Sequence, residues 1–219
     1  MRFENRRQAG RILAEKLQSL AGGPVVVLGL PRGGVPVAFE VARALGAPLD
    51  VIPVRKLGAP SFPEFALGAI ASGGARVLHD VAIAQFGVRG EELERREAAY
   101  RGGRPPLDLK GRTVVLVDDG LATGATMTAA ARAVARRAPA KVIVAVPVGS
   151  AEACAALKSE ADEVLCAEVP ADFFSVGSFY AEFPQTSDDE VRSLLADVRL
   201  NQHSPNSRAA KAAPAVRSR

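Results

Sequence analysis

Residues 114–127 read VVLVDDGLATGATM. The four leading apolar residues are mostly β-branched and of strand length, the pattern of a strand buried on both faces. The run ends in two adjacent carboxylates, Asp118 and Asp119, and a loop of small residues follows before a helix begins. Consecutive strand side chains point opposite ways, so the two carboxylates leave the strand end in different directions. The loop carries two hydroxyls, Thr123 and Thr126, and its backbone N–H groups face a helix start, which makes an anion site. Amides that bind phosphate beside paired carboxylates suit a sugar phosphate. The amides take the phosphate, and the carboxylates take ribose hydroxyls directly or through a divalent metal. The loop is not a GxxxxGK[ST] loop, because no Lys follows Gly124, and it is not the GxGxxG fingerprint. A lone acidic pair would read as a turn before a capped helix; the fourteen-residue string is more specific than that.

The same rhythm extends on both sides. Residues 25–30 (VVVLGL), 49–54, 141–148 and 163–167 read as further strands. Helices are expected over 35–45, ended by Gly46, and over 125–137 and 151–159. A first helix, over 5–20, places Ala9, Ile12, Leu13, Leu17 and Leu20 on one face, with Asn5 as its cap and Gly22-Gly23-Pro24 as its stop. Strand–helix alternation with β-branched runs predicts an α/β fold, a mostly parallel sheet covered by helices on both faces. Two stretches break the rhythm. Residues 55–80 are rich in Gly and Pro and predict a loop with a small hairpin. Residues 89–112 predict a charged helix and a breaker-rich connection, a long insertion of the kind that is usually functional.

A second loop points to the same site. In LGLPRGGV (residues 28–35), Arg32 follows the first strand and Gly33-Gly34 permit close backbone approach. The Arg32 guanidinium is a forked cation suited to a pyrophosphate. One ligand bridges the two loops only if strands 25–30 and 113–118 are neighbours, with strand 49–54 on the far side of the first. The winding then reverses between them, and the crevice there is the expected ligand site. Arg55-Lys56, read as the end of the second strand, would add cations to that pocket.

Residues 114–127 resemble the phosphoribosyl-pyrophosphate (PRPP) signature of the type I phosphoribosyltransferases. The resemblance implies their fold: a central, mostly parallel sheet, a flexible loop or hairpin and a small C-terminal hood. It implies that Asp118 and Asp119 engage the ribose 2′- and 3′-hydroxyls as catalytic residues and hold Mg2+ indirectly, through ribose or water. It implies that Ala122, Thr123, Gly124, Ala125 and Thr126 hold the 5′-phosphate, and that Arg32, Gly33 and Gly34 form the pyrophosphate loop. PEFALGAI (63–70) is similar to a bacterial subgroup of such proteins. Residues 170–180 (PADFFSVGSFY) are similar to the hood of purine phosphoribosyltransferases, where an aromatic covers the base, with Phe173 or Phe174 in that role. The sequence departs from that family in having no Lys shortly before the hood to read a purine 6-oxo group, which leaves the acceptor open.

Composition bounds the rest. The 219 residues are 48% hydrophobic and 24% charged, which excludes general disorder. Aromatics are 5% and Trp is absent, so the core must be aliphatic. Residues 201–219 hold Arg208, Lys211, Arg217 and Arg219 and no acid; without those four, the 28 basic residues fall to 24, against 24 acidic ones. The body is therefore neutral, which argues against nucleic-acid binding. The expected organisation is one domain over 1–200 and a disordered basic tail over 201–219. No apolar run of membrane-spanning length and no signal-peptide h-region is visible, so a cytoplasmic protein is expected. Cys154 and Cys166 read as small core residues in a reducing compartment. His79 reads as a loop residue, which leaves a Ser or Cys hydrolase without a base. Two readings remain: an enzyme that transfers phosphoribosyl from PRPP to a nitrogen nucleophile, or a regulator that keeps the PRPP pocket without an acceptor site. Both are compatible with a homodimer.

Overall fold

The computed structural model describes residues 2–59, 62–71, 76–78 and 98–203. Five parallel strands form the central sheet: β1 (Val25–Gly29), β2 (Leu49–Val51), β6 (Thr113–Val117), β7 (Lys141–Val148) and β8 (Glu163–Glu168). Their order is β2-β1-β6-β7-β8, so the predicted neighbours β1 and β6 lie side by side with β2 beyond β1. Val25 pairs with Thr113 and Gly29 with Val117, which brings the two loop-bearing strand ends level with each other.

Alternation along β1 builds two cores. Val25 and Val27 face α1 (Arg6–Lys16), α2 (Gly34–Leu45) and the C-terminal helix α5 (Asp188–His203). Val26 and Leu28 face α3 (Ala125–Ala135) and α4 (Ala151–Ala156). The inner strands β1, β6 and β7 are buried on both faces, which is why they read as unbroken apolar runs. Asn5 caps α1 as expected, its side chain accepting from Gln8 N at 3.0 Å. Gly46 ends α2 with φ +62°, a left-handed cap that glycine adopts without a Cβ penalty.

Several expectations are corrected. The second strand stops at Val51. Ile52 N makes its last bond to the sheet, to Gly29 O at 3.1 Å, and Pro53 has no N–H to continue. The chain then builds a separate antiparallel sheet from β3 (Val54–Ala59), β4 (Phe62–Ala71) and β5 (Arg76–Leu78), not a loop with a small hairpin. Arg55 and Lys56 therefore sit inside β3, opposite Ile70 and Ala69, and not at the end of β2. Cys154 on α4 and Cys166 on β8 are joined as a disulfide rather than standing as two separate core thiols. The last helix, α5, extends to His203, past the expected domain end at 200. The tail beyond it, residues 204–219, lies outside the described residues, as do residues 79–97, His79 among them.

The described end of that insertion is anchored, not loose. Arg101 is buried and donates from Nε to both carboxylate oxygens of buried Asp50, at 2.8 and 2.9 Å. Its Nη2 reaches Val51 O at 3.0 Å, and Leu107 N donates to Asp50 Oδ2 at 3.1 Å. These bonds cover the exposed edge of β2 with the 98–107 segment, one of the ways a sheet edge is protected.

Candidate functional site

The site forms where β1 and β6 end. Leu30 N still bonds Val117 O at 2.9 Å, and then the two chains part. The turn after β1 lies against the acidic turn after β6. A Cβ on Gly34 would meet Val117 O at 2.7 Å and Asp118 Cα at 2.8 Å; a Cβ on Gly33 would collide with Asp119 Oδ2. Both glycines are thus required by proximity. The peptide bond between Pro31 and Arg32 is cis. Arg32 is partly exposed, with its Nη1 4.0 Å from Asp188 Oδ1 at the start of α5.

The loop from β6 to α3 surrounds a cavity of about 130 Å³, lined by Asp118, Gly120 and every residue from Leu121 to Met127, with Val176 above. Gly124 has φ +74° and serves as the N-cap of α3, a conformation that favours glycine. The first N–H groups of α3 have no intrahelical acceptor and point toward this loop. Leu121 N bonds Val148 O at 2.9 Å, and Ser150 donates from its N to Leu121 O and from Oγ to Ala122 O, each at 2.9 Å. The start of α4 therefore fixes the loop from behind. An anion entering here would meet prepositioned amides at the positive end of a helix.

The two carboxylates separate as strand geometry requires. Asp118 lines the cavity, and its Oδ1 accepts from Asp119 N at 2.8 Å. Asp119 turns the other way: its Oδ2 accepts from Arg6 Nε at 2.8 Å, and its backbone oxygen accepts from Tyr180 OH at 2.6 Å. Burial pushes the Asp119 carboxyl above the ordinary carboxylate range, against the pull of the Arg6 guanidinium. The Tyr180 hydroxyl is raised too, first by burial and then by the charge of Asp119.

The hood, residues 169–184, stands on this turn. A Cβ on Gly120 would meet Val176 Cγ1 at 2.6 Å. Phe173 stacks on Phe179, with ring centroids 5.6 Å apart, and packs inside the hood. Phe174 is 94% exposed, so of the two candidates it is the one with a free aromatic face. The structure thus brings together Arg32, Gly33, Gly34, Asp118, Asp119 and Ala122 to Thr126. Sequence reasoning missed Arg6 and Tyr180, which reach the site from the two ends of the domain; one Arg among Arg6, Arg7 and Arg11 on a helix carries no signal of such a contact. It also missed α5, whose signal was present: Ser187 and Glu190 form a cap, and Val191, Leu194, Leu195 and Val198 follow at helical spacing.

A parallel sheet with its winding reversal at β1/β6, carrying a Gly turn and an acidic turn with a phosphate-type loop at that point, is the type I phosphoribosyltransferase arrangement. The chain belongs to that family: the Phosphoribosyl transferase domain model matches residues 4–182. It is 50% identical, over 204 residues, to the Mycobacterium tuberculosis protein named Putative phosphoribosyl transferase Rv0571c, covering 88% of this chain and 46% of that one. It is 32% identical, over 122 residues, to the adenine phosphoribosyltransferase of Mycolicibacterium smegmatis, covering 56% of this chain and 54% of that one. The chain therefore spans about half the length of these curated relatives. The crystal structure of TT1426 from Thermus thermophilus is similar in fold and sequence, with a TM-score of 0.75 and 50% identity over 90% of this chain and 99% of that one.

Proposed function

We propose that the protein binds PRPP with Mg2+ and transfers its phosphoribosyl group to a nitrogen nucleophile of nucleobase type, releasing pyrophosphate. The observation that carries this reading is the 121–127 loop around one cavity, with Asp118 in its lining and Gly34 in backbone contact with Asp118. In this reading the amides of residues 122–126 hold the 5′-phosphate, Asp118 takes the ribose hydroxyls, and Arg32 with the Gly33-Gly34 turn faces the pyrophosphate. Phe174 offers its face to the acceptor ring. The reacting carbon passes through an oxocarbenium-like state, so the protein's contribution is positioning and electrostatics rather than covalent chemistry.

The residues present fit a magnesium ion held mostly by substrate. Among the described residues, no group of three or more His, Cys, Asp or Glu side chains could hold a metal. One cavity-lining carboxylate, Asp118, beside oxygens of the ligand suits Mg2+, which binds through one or two carboxylates plus substrate phosphates. When bound, the ion would neutralise charge on the departing pyrophosphate.

No described helix is long and apolar enough to cross a membrane. A cytoplasmic location is part of the proposal. The test is a screen of nucleobases and amines against PRPP and Mg2+, reading released pyrophosphate. Release that depends on an acceptor supports the transferase. Tight PRPP binding with no release across the screen would favour a PRPP-sensing regulator instead.

A further inference from the structure

Ser150 stands between β7 and α4, behind the loop that runs from β6 to α3, and it makes three bonds there. Its N donates to Leu121 O at 2.9 Å, and its Oγ donates to Ala122 O at 2.9 Å. The same Oγ accepts from Ala153 N at 3.1 Å as the N-cap of α4. A hydroxyl donates and accepts at once, which is what this position asks of its side chain. The residue before it has no room for a side chain: a Cβ on Gly149 would meet Cys154 Sγ at 2.7 Å and Leu121 Cβ at 3.2 Å.

The two carbonyls held by Ser150 belong to consecutive peptide groups. In a trans peptide the C=O and the following N–H point opposite ways in one plane. The cis bond among the described residues is at Pro31-Arg32, so both of these peptides are trans. Drawing Leu121 O and Ala122 O toward Ser150 therefore turns the N–H groups of Ala122 and Thr123 away from it. The cavity lies on that side: Ala122 and Thr123 line it, and Ser150 does not. Among the described residues neither N–H donates to a backbone oxygen, so both stay open to an anion.

We propose that Ser150 is a positioning residue for the phosphate subsite, which from outside the cavity aims the Ala122 and Thr123 amides at the 5′-phosphate. The inference rests on the reading that residues 122–126 take that phosphate. A residue that only capped α4 would change stability and leave the relative affinities of the ligands alone. A positioning residue changes the ligands that carry the 5′-phosphate and no others.

The experiment is calorimetry on the full chain with three probes: ribose 5-phosphate, pyrophosphate with Mg2+, and PRPP with Mg2+. Ser150→Ala removes the bond to Ala122 O and should weaken ribose 5-phosphate and PRPP roughly tenfold. Pyrophosphate should bind as it does to the wild type. Ser150→Thr, which keeps the hydroxyl, should recover most of the loss. If Ser150→Ala does not fold, Ser150→Gly carries the same test, because glycine is tolerated as an N-cap and has no hydroxyl. Unchanged binding of ribose 5-phosphate, or equal weakening of all three ligands, would overturn the inference while leaving the phosphate site standing. Thr123→Ala separates the two claims. If the wild type does not bind ribose 5-phosphate, or Thr123→Ala binds it equally well, the phosphate-site reading falls and the inference with it.

Discussion

Gly34 and Asp118 are in backbone contact: a Cβ on Gly34 would lie 2.8 Å from Asp118 Cα. The turn after β1 and the turn after β6 are therefore parts of one surface, and the parallel register of the two strands sets their relative height. Anything that moves one turn moves the other.

Gly34→Ala should accordingly be costly. The added methyl meets Val117 O and Asp118 Cα, both backbone atoms that cannot rotate away. Overpacking of this kind costs about 1–3 kcal/mol in stability. PRPP affinity should fall as well, because the two turns must separate. Urea unfolding and calorimetry measure the two effects. An alanine variant with wild-type stability would show that the turns are not in contact.

The Asp50–Arg101 pair fixes the inserted segment to β2, with side-chain exposures of 2% and 5%. Asp50→Ala leaves a buried guanidinium without its carboxylate and should cost about 3–5 kcal/mol. Replacing both residues with apolar ones of similar volume should cost less than either single change. Denaturant unfolding of the two single variants and the double variant checks this. Additive losses would mean that the residues act independently.

Legibility in the sequence followed the range of the forces involved. The inner strands of the central sheet, β1, β6 and β7, were readable because burial on both faces writes itself as unbroken apolar runs. The order β2-β1-β6 was readable because two loops with complementary chemistry had to meet. What escaped was long-range and specific. Arg6 meets Asp119 across 113 positions, a contact that depends on how the N-terminal arm pairs with the hood. The Cys154–Cys166 bond joins α4 to β8, a pairing of helix to strand that no local pattern in the sequence announces. Pro53 was a local signal, and it ends the second strand earlier than its apolar run implied. The site loop itself was legible, but the division of its two carboxylates between cavity and Arg6 was visible only as opposite directions, not as different neighbours.

The raised Asp119 carboxyl makes a pH prediction. Burial shifts it above its unfolded value, so the native state binds its proton more tightly. That contribution to stability is fully present below the unfolded pKa, about 3.9 for Asp. It is lost as pH rises through the folded value. The difference in melting temperature between wild type and Asp119→Asn should therefore favour wild type most at low pH and shrink as pH rises from there. A difference that grows with pH would show that the Arg6 attraction outweighs burial.

The disulfide can be tested directly. Cys154 and Cys166 are 12 residues apart in sequence. Closing a loop of that size stabilises by about 3 kcal/mol on the chain-entropy account. Dithiothreitol should lower the melting temperature of the oxidised protein by several degrees, and a Cys154→Ser, Cys166→Ser variant should be insensitive to it. Two titratable thiols in protein unfolded without reductant would contradict the bond.

The central claim is that the 122–126 loop is a 5′-phosphate site for PRPP, and titration of PRPP with Mg2+ into wild type and Thr123→Ala tests it most directly. The wild type should bind at micromolar strength, a free energy of about −8 kcal/mol. Thr123→Ala should bind PRPP clearly more weakly, with ribose 5-phosphate weakened alongside. No heat and no thermal shift with PRPP and Mg2+ in the wild type would contradict it.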